Sequence, residues 1–397
     1  MVMNKERDNM QSFIHYLTEA KNTHLEHVED LLFSEGIPGA RRIFDYLRDV
    51  RDMLAGHSDS RTKLSVKWDG APSFVMGIDP ADKKFFVAKK GVFNKVPVVY
   101  KTHSDIDRMV EGRLNGIFHL ALDVLKPIAP QDGAVQGDLL FTKDTLKEIT
   151  IGGETFIAFH PNTLVYAIPI NSPLAAKIMA ADIGLVWHTQ YKGQDLKTLN
   201  ATYNANITSL LGTSHRVFQV DAVYRDLSGY ATMTSEMTAA CSAALSTAGK
   251  ILNQIPSAAL RALGQNVKTV AFIARYNNQQ VRSGEWLKNP TELARGLLNA
   301  AVAEGHDVAA TIANIGLNTF ILCYQFLSWI TNAKLILIRQ LDLTANTKTF
   351  YQTSRGYEVA NPEGYVAVDR IGKAVKLVDR LEFSRSNFSP DIVKGWR

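Results

Sequence analysis

The hydrophobic pattern of the 397-residue chain changes period three times, and this order limits the folds that the chain can adopt. Residues 5–56 carry apolar side chains at helical spacing, whereas residues 64–68 alternate between apolar and polar as strands do, and further strand-like segments follow up to residue 168. Residues 173–341 return to a helical pattern rich in Ala and Leu, and strand patterning reappears between residues 357 and 378. This order predicts an α+β fold in which the two ends of the chain close one sheet.

The strand-rich segments favour antiparallel pairing. Ser73–Ile78 and Lys84–Lys89 are joined by Asp79-Pro80-Ala81-Asp82, a sequence typical of tight turns. Further strands are predicted at residues 133–141, 155–159 and 163–168. We therefore divide the chain into an N-terminal helical segment (1–57), the first part of a sheet core (58–171), a mostly helical insertion (172–350) and the second part of the core (351–397).

Composition indicates a folded protein of a reducing compartment. Hydrophobic residues make up 46% and charged residues 21%, which is ample for a core. The net charge of +5 permits an anionic partner without requiring one. Cys241 and Cys323 form neither a metal-type spacing nor a disulfide framework, and the polar residues 1–10 do not resemble a secretory signal. These features favour a cytoplasmic location.

The most apolar stretch, residues 317–338, is predicted to be a buried core helix with no role in a membrane. Polar side chains recur along it, and Lys334 would lie deep in a bilayer if the stretch spanned one. Such positions are costly in lipid unless they face a polar cavity.

The segment Lys67-Trp68-Asp69-Gly70 places a lysine at the end of a predicted strand, directly before an Asp-Gly turn. Rigid backbone holds such a lysine, and glycine lets other groups approach the turn closely. Lysine is a nucleophile only when its amine is neutral, and its usual pKa is about 10.4, so a reactive lysine needs desolvation or nearby cations. Lys89, Lys90, Lys373 and Lys376 are candidates for those cations. An exposed surface hairpin is the alternative interpretation.

Lys-x-Asp-Gly resembles motif I of the covalent nucleotidyltransferases, the superfamily of DNA ligases, RNA ligases and mRNA capping enzymes. Segments that resemble the later motifs follow in the same order as in that superfamily. They are Ala88–Asn94 with Lys90 for the ribose segment, Val135–Phe141 with Asp138 for motif III, Leu164–Ile168 for the strand that packs on the nucleotide, Glu363-Gly364-Tyr365-Val366 for motif IV and Ala374–Val378 for motif V. The chain departs from the pattern at Asp138, where Glu is usual, and at Lys373 and Lys376, which replace a frequent Lys-x-Lys.

The resemblance implies that Lys67 attacks ATP, releases pyrophosphate and carries AMP as a covalent adduct. It implies that Lys376, assisted by Lys373, neutralises charge that develops at the α-phosphorus. Glu363 and Asp138 would bind Mg²⁺ or Mn²⁺ through hard oxygen ligands, or Asp138 would hold the ribose hydroxyls.

The resemblance also assigns the nucleotide-binding residues, which are Lys67, Asp69, Gly70, Lys90, Asp138, Tyr166, Glu363, Lys373 and Lys376. We expect Asp69 to order the turn and the nucleotide rather than to act as a base. Tyr166 or Phe93 is the candidate for stacking on the base. Trp68 neighbours the nucleophile on a strand and is therefore expected to point to the opposite face, towards the core.

The RNA-ligase branch fits best, because DNA ligases and capping enzymes carry an OB domain after motif V. Only 17 residues follow Arg380 here, too few for any domain. The expected reaction seals 5′-phosphate and 3′-hydroxyl ends, with RNA as the main partner and DNA as the alternative. Similarity to phage-encoded proteins with this pattern suggests a bacteriophage origin and action in the host cytoplasm. The oligomeric state is not predicted.

Two other interpretations stay open. One is a different nucleotidyltransferase of the same superfamily, and the other is a non-catalytic phage structural or interaction protein with a degenerate fold. Two further features have simpler explanations. A capping box of Thr23 and Glu26 accounts for the segment that contains His24 and His27 without a metal, and Trp187-His188 is expected to have a core or hinge role.

Overall fold

The computed structural model describes residues 25–57, 62–202, 206–222, 232–343, 348–361, 363–369 and 371–395. The predicted helix start at Thr23, and His24, lie outside these ranges. The strands, in chain order, are β1 Lys63–Val66, β2 Ser73–Ile78, β3 Phe85–Ala88, β4 Ala134–Thr142, β5 Lys147–Ile151, β6 Glu154–Phe159, β7 Leu164–Pro169, β8 Ile183–Lys192, β9 Asn200–Thr202, β10 Val217–Asp221, β11 Lys348–Thr353, β12 Gly356–Val359, β13 Tyr365–Val368 and β14 Ala374–Leu377.

The described part of the chain also contains twelve α-helices. They are α1 Leu31–Glu35, α2 Ile37–Leu54, α3 His103–Met109, α4 Arg113–Leu125, α5 Pro173–Ala180, α6 Ser235–Leu252, α7 Ser257–Gln265, α8 Val267–Arg282, α9 Pro290–Glu304, α10 His306–Ile315, α11 Leu317–Leu343 and α12 Arg380–Phe388. Together with the strands they confirm the predicted α+β class.

The strands form three sheets. Their orders are β1-β13-β14, then β10-β8-β4-β2-β3 with β9 attached to β8, and β12-β11-β7-β6-β5. Among the described strands, every pair is antiparallel except β8 with β10. Both predicted parts of the core meet in two of these sheets, because β1 pairs with β13 and β7 pairs with β11.

The two larger sheets pack face to face. Phe141 of the six-stranded sheet lies 5.2 Å, ring to ring, from Phe159 of the five-stranded sheet. Helices α3 and α4 contribute to the apolar cluster of the six-stranded sheet, where Phe118 packs on Phe74 with 4.7 Å between ring centroids. Burying these large rings provides much of the stabilisation of both interfaces.

The helices of the N-terminal segment and of the insertion share one apolar core. It extends from α1 and α2 through α6 to α11, and it includes Leu64, Tyr365 and Val375 of the three-stranded sheet. Helix α11 is the one described helix that is long and apolar enough to cross a membrane, but half of its most apolar window is buried in the protein. Its Lys334 is 1% exposed and contacts Glu29 at 2.7 Å, as suits a core helix.

The start of the predicted insertion at residue 172 is corrected by the sheet order. Residues 183–221 supply β8, β9 and β10, and β8 pairs directly with β4 in the six-stranded sheet. The long helices begin only at Ser235. The first five residues of β8 are buried without alternation, and such a run cannot be distinguished from a buried helix by periodicity. The helical pattern predicted for residues 173–341 is also interrupted at Gly316, where φ is +85° and α10 ends before α11 begins.

Candidate active site around Lys67

Lys67 follows β1 directly and lies beside the loop that leads into β13. Its backbone N–H donates to the carbonyl of Gly364 at 2.8 Å. Gly364 has φ of +129°, and a Cβ there would meet the carbonyl oxygen of Leu377 at 2.7 Å, so only glycine fits. This register brings Glu363 next to Lys67, and their side chains form an ion pair. The segments that resemble motifs I and IV therefore meet, as the sequence predicted.

The carboxylate of Glu363 is 7% exposed. Its Oε2 atom has no hydrogen-bond partner among the described residues. Burial raises the pKa of Glu363 to about 7, and the negative charges of Asp69 and Asp138 add to the shift while Lys67 opposes it. The carboxylate lines a cavity of about 170 Å³ together with Thr163, Asp342 and Phe383. A half-protonated carboxyl next to an amine can exchange a proton with it near neutral pH.

Lys376 extends the charged group from the neighbouring strand. β14 places Lys376 opposite Val366 of β13, and the Lys376 backbone N–H donates to the carbonyl of Glu26 at 2.8 Å. Burial lowers the pKa of Lys376, and the positive charge of Lys67 lowers it further, whereas Glu363 raises it. Lys67, Glu363 and Lys376 thus interact electrostatically although they come from opposite ends of the chain.

Lys373 does not belong to this group, contrary to the prediction from the sequence. It lies beyond the β13–β14 turn, where Gly372 has φ of +82°. Its ammonium is 3.6 Å from Glu35 and its side chain is 53% exposed. The turn therefore places it at the opposite end of β14 from Lys376.

Asp69 anchors the turn after Lys67. Its Oδ2 accepts hydrogen bonds from the backbone N–H groups of Thr163 at 2.6 Å and Leu164 at 2.9 Å, and from the Thr163 hydroxyl. Its Oδ1 accepts from Asn162 Nδ2 at 2.8 Å. With four donors on a 4% exposed residue, the carboxylate holds the turn against the start of β7. The expected ordering of the turn is observed, but these donors occupy the oxygens that the sequence interpretation had assigned to the nucleotide.

Gly70 packs closely against Asp138. A Cβ on Gly70 would lie 2.5 Å from the Cβ of Asp138 and 3.2 Å from the carbonyl oxygen of Leu139. Asp138 stands opposite Ser73 in the β2–β4 pair, so the turn lies directly on β4. Burial raises the pKa of Asp138, while His188, Lys67 and Lys90 lower it. Lys90 is exposed on a short 3₁₀ helix and completes the cationic side of the site.

Tyr166 supports the turn and does not present a stacking surface. Its hydroxyl accepts a hydrogen bond from the backbone N–H of Asp69 at 2.7 Å. The ring packs on Trp68 at 4.9 Å and on Phe159 at 5.3 Å between centroids, and the residue is 4% exposed. This corrects the prediction that Tyr166 contacts the base. Phe93 is half-buried against Tyr191, with 4.6 Å between ring centroids.

His188 is a site residue that the sequence interpretation missed. Its Nε2 lies 3.7 Å from Asp138 Oδ2. Alternation along β8 buries Trp187 in the core and turns His188 towards the site. Burial lowers the pKa of His188, with Lys67 and Lys90 contributing and Asp138 opposing. The alternation of Trp187 and His188 on a strand could have indicated that His188 faces the site. The prediction of a helical insertion in this region left no place for that interpretation.

His27 was likewise assigned no role. It forms an isolated parallel bridge with Lys376, and its buried Nδ1 has no hydrogen-bond partner in the described structure. Burial and the charges of Arg380, Lys334 and Lys376 hold its pKa well below the usual value. A neutral histidine therefore lies beside Lys376.

The oxygen donors of the site suit a hard cation. Among the described residues no group of three or more His, Cys, Asp or Glu side chains is arranged to hold a metal ion. Glu363 nevertheless offers a buried oxygen without a partner. Mg²⁺ usually binds one or two carboxylates and takes its other ligands from phosphate and water. The unpartnered Oε2 of Glu363 suits such a role, and Asp138 lies near enough for its charge to raise the pKa of Glu363.

A family model matches most of the chain. No curated protein and no solved structure matches it. Residues 22–391 match DUF6267, described as a family of unknown function, and this range contains Lys67, Glu363 and Lys376. The chain belongs to that family of unknown function, DUF6267.

Proposed function

We propose that the protein is an ATP-dependent nucleotidyltransferase in which Lys67 becomes covalently linked to AMP. The observation that carries the proposal is the meeting of Lys67, Glu363 and Lys376, which stand in the order of motifs I, IV and V of the ligase superfamily. Ionisable groups with perturbed pKa values that lie together beside a cavity are typical of functional sites, which supports a catalytic role here.

The chemistry assigns a role to each group. The neutral Nζ of Lys67 attacks the α-phosphorus of ATP, an N–P bond forms, and the bond to the pyrophosphate oxygen breaks. The proton that Lys67 must lose can pass to Glu363, whose pKa of about 7 makes it a stronger base than an ordinary carboxylate. Lys376 offsets the negative charge that develops on the leaving group. Mg²⁺, when bound, would supply further charge neutralisation at the phosphates.

The residues around this triad would position the nucleotide. Gly70 permits the turn to lie against β4, and Asp69 and Tyr166 hold that turn rigid. Asp138 and His188 lie close together and interact electrostatically with Lys67 and Lys90. A site built on strands and a fixed turn keeps the amine in one geometry, which favours in-line attack.

The acceptor proposed for the AMP is the 5′-phosphate of an RNA strand, followed by sealing with a 3′-hydroxyl. This part rests on the resemblance to RNA ligases. The basic net charge of +5 is compatible with a nucleic-acid partner. The acceptor experiment below distinguishes RNA from DNA.

The test is transfer of label to the protein itself. Purified protein is incubated with Mg²⁺ and α-³²P-labelled ATP or GTP, and the products are separated on a denaturing gel. We expect a labelled band with ATP, and no band for Lys67→Ala or Lys67→Arg. Lys373→Ala is the matched control, because Lys373 lies outside the site. This variant protein should be labelled like the wild type.

Two further results decide between the alternatives. Absence of a band with either nucleotide, in protein that is folded by circular dichroism, would favour the structural or interaction role. Nicked RNA, nicked DNA and hybrid duplexes offered to the labelled protein identify the acceptor. Release of label without sealing of any nicked substrate would indicate a nucleotidyltransferase that is not a ligase.

A further inference from the structure

A cavity of about 290 Å³ borders Lys376, where residues 25–34 meet helix α8. Lys376 also interacts electrostatically with Lys67 and Glu363, so the cavity adjoins the candidate active site, although neither of these two residues lines it. Pockets that hold drug-sized ligands measure about 300–1,000 Å³. The cavity therefore suits a somewhat smaller molecule.

One side of the cavity is apolar. Phe33 contributes a buried ring, and Val270, Ile273 and Ala274 contribute aliphatic side chains from α8. These three positions and Asn277 follow the i, i+3, i+4, i+7 spacing of a single helix face. The face that α8 presents to the cavity is thus apolar along most of its length and polar at one end.

Asn277 supplies that polar end, and half of its amide has no partner. The residue is fully buried, and its Oδ1 accepts a hydrogen bond from the Tyr324 hydroxyl at 2.9 Å. Its Nδ2 has no hydrogen-bond partner among the described residues. A buried N–H group without an acceptor costs free energy, which an acceptor on a ligand would recover. The amide is therefore suited to donate to an oxygen or a ring nitrogen.

His27 contributes a second unpaired polar atom to the lining of the cavity. Its Nδ1 is buried and has no partner in the described structure. Its backbone is fixed, because its carbonyl accepts from the Asp30 N–H at 2.9 Å and the residue bridges to Lys376. Burial keeps the pKa of His27 well below its usual value, so the ring is neutral and has one donor and one acceptor nitrogen.

The charged groups that line the cavity are of both signs. They are Glu26, Asp30 and Lys376. Asp30 is paired with Arg380 at 2.8 Å, and Glu26 accepts a hydrogen bond from the Ser34 hydroxyl at 3.0 Å. An anionic ligand would meet two carboxylates, and a cationic ligand would meet the ammonium of Lys376. A net charge on the ligand therefore gains little, and the unpaired hydrogen-bonding groups decide what binds.

We propose that this cavity binds an uncharged heterocycle of the nucleobase type, carried by a nucleoside. A nucleobase has π-faces that pack on apolar surfaces and an edge of hydrogen-bond donors and acceptors. The faces pack against Phe33 and α8, and the edge bonds to Asn277 Nδ2 and His27 Nδ1. A sugar alone would bury hydroxyl groups against the apolar side, where they find no partner. This site is separate from the proposed transfer of AMP to Lys67.

The test is saturation-transfer NMR of the full chain with adenosine, guanosine, cytidine and uridine, followed by calorimetry with the nucleoside that binds best. We expect saturable binding of at least one nucleoside. Asn277→Leu removes the donor at similar side-chain size and should weaken binding by about tenfold. Ala274→Phe fills the cavity and should abolish binding. Asn299→Leu is the matched control, since Asn299 is exposed on α9 and its replacement should leave binding unchanged.

A second comparison tests the expected neutrality of the ligand. The 5′-monophosphate of the same nucleoside should bind no more tightly than the nucleoside, because the charges around the cavity offer a phosphate no net attraction. Clearly tighter binding of the monophosphate would overturn the proposal.

The variants also separate this cavity from any other nucleoside site. Absence of binding by all four nucleosides, or equal binding by the wild type and Ala274→Phe, would overturn the proposal. Circular dichroism verifies that each variant is folded. Asn277→Leu leaves the Tyr324 hydroxyl without its acceptor, so if it fails to fold, Ala274→Phe and His27→Ala decide the question. Labelling of Lys67 does not enter this test, so its outcome is independent of the proposed function.

Discussion

The Lys67 ammonium and the Glu363 carboxylate form an ion pair in which the lysine is 24% exposed and the glutamate 7% exposed. The pair is asymmetric, since the carboxylate is buried and the amine can still be reached from solvent. A small molecule that enters from the lysine side therefore meets the amine first. The pH behaviour of Glu363 is the most direct consequence that can be measured.

The stability of the protein should depend on Glu363 between pH 4.5 and about 7, the ordinary and the raised pKa values of this group. In that range the folded state holds a proton that the unfolded state has lost, so the free energy of unfolding falls as the pH rises. Relative to Glu363→Gln, the wild type should lose on the order of 3 kcal/mol across the window. Urea unfolding of both proteins at pH 5 and pH 8 measures the difference. An equal change in unfolding free energy between pH 5 and pH 8 for the two proteins would contradict the prediction.

Gly70→Ala should disturb the site because a Cβ at this position would lie 2.5 Å from the Cβ of Asp138. We expect a loss of about 1–3 kcal/mol in unfolding free energy, the usual cost of overpacking, and at least tenfold slower labelling of Lys67. Gly116→Ala is the matched control, since a Cβ there meets nothing within 4 Å and the residue lies in α4. It should stabilise the protein by about 0.5–1 kcal/mol. Equal behaviour of the two variants would argue against the close packing of the turn on β4.

Lys376→Ala and Lys373→Ala should differ strongly in the rate of Lys67 labelling, although the two residues are only three positions apart. Removing Lys376 takes away a cation whose pKa is already coupled to Lys67, and labelling should slow by about 10²-fold, as for other groups that stabilise a transition state. Lys373 pairs with Glu35 outside the site, and its variant should label normally. Time courses with α-labelled ATP measure both rates. Slow labelling of Lys373→Ala would mean that the turn between β13 and β14 contacts the nucleotide.

Lys334→Met should destabilise the fold by about 3 kcal/mol, because it leaves the carboxylate of Glu29 buried without its closest partner. The exposed pair Lys348–Glu154 provides a control, and Lys348→Met should cost less than about 1 kcal/mol. Adding Glu29→Leu to Lys334→Met should recover much of the loss, since an apolar pair needs no charge compensation. Chemical denaturation of the wild type, Lys334→Met, Lys348→Met and the double variant tests this, and a double variant no more stable than Lys334→Met would contradict it.

Much of the fold could be predicted from the sequence where the local signals agree. β2 begins and ends at the predicted residues Ser73 and Ile78, because alternation and the Asp79-Pro80 turn coincide there. Helix α2, Ile37–Leu54, lies within residues 5–56, whose apolar spacing predicts a helix. β8 escaped prediction because burial on both faces removes the alternation on which a strand assignment depends.

The site shows the same division between local and long-range information. Lys67, Glu363 and Lys376 could be brought together from motif order, but spacing alone could not separate Lys376 from Lys373, since a hairpin turn decides which lysine faces the site. Tyr166 has the right residue type for stacking, yet its exposure depends on Trp68 and Phe159, which pack on it from other segments. His188 gained its role only once β8 was placed beside β4.

The pairing of β1 with β13 has a consequence for biosynthesis. A ribosome releases Lys67 long before the segment that contains Glu363 exists, so the nascent chain carries the amine without its carboxylate neighbour. Contacts of such wide sequence separation form late and slowly in folding. Reaction of this lysine with a nucleotide would thus require the full-length chain. A chain that terminates before Glu363 would not be labelled.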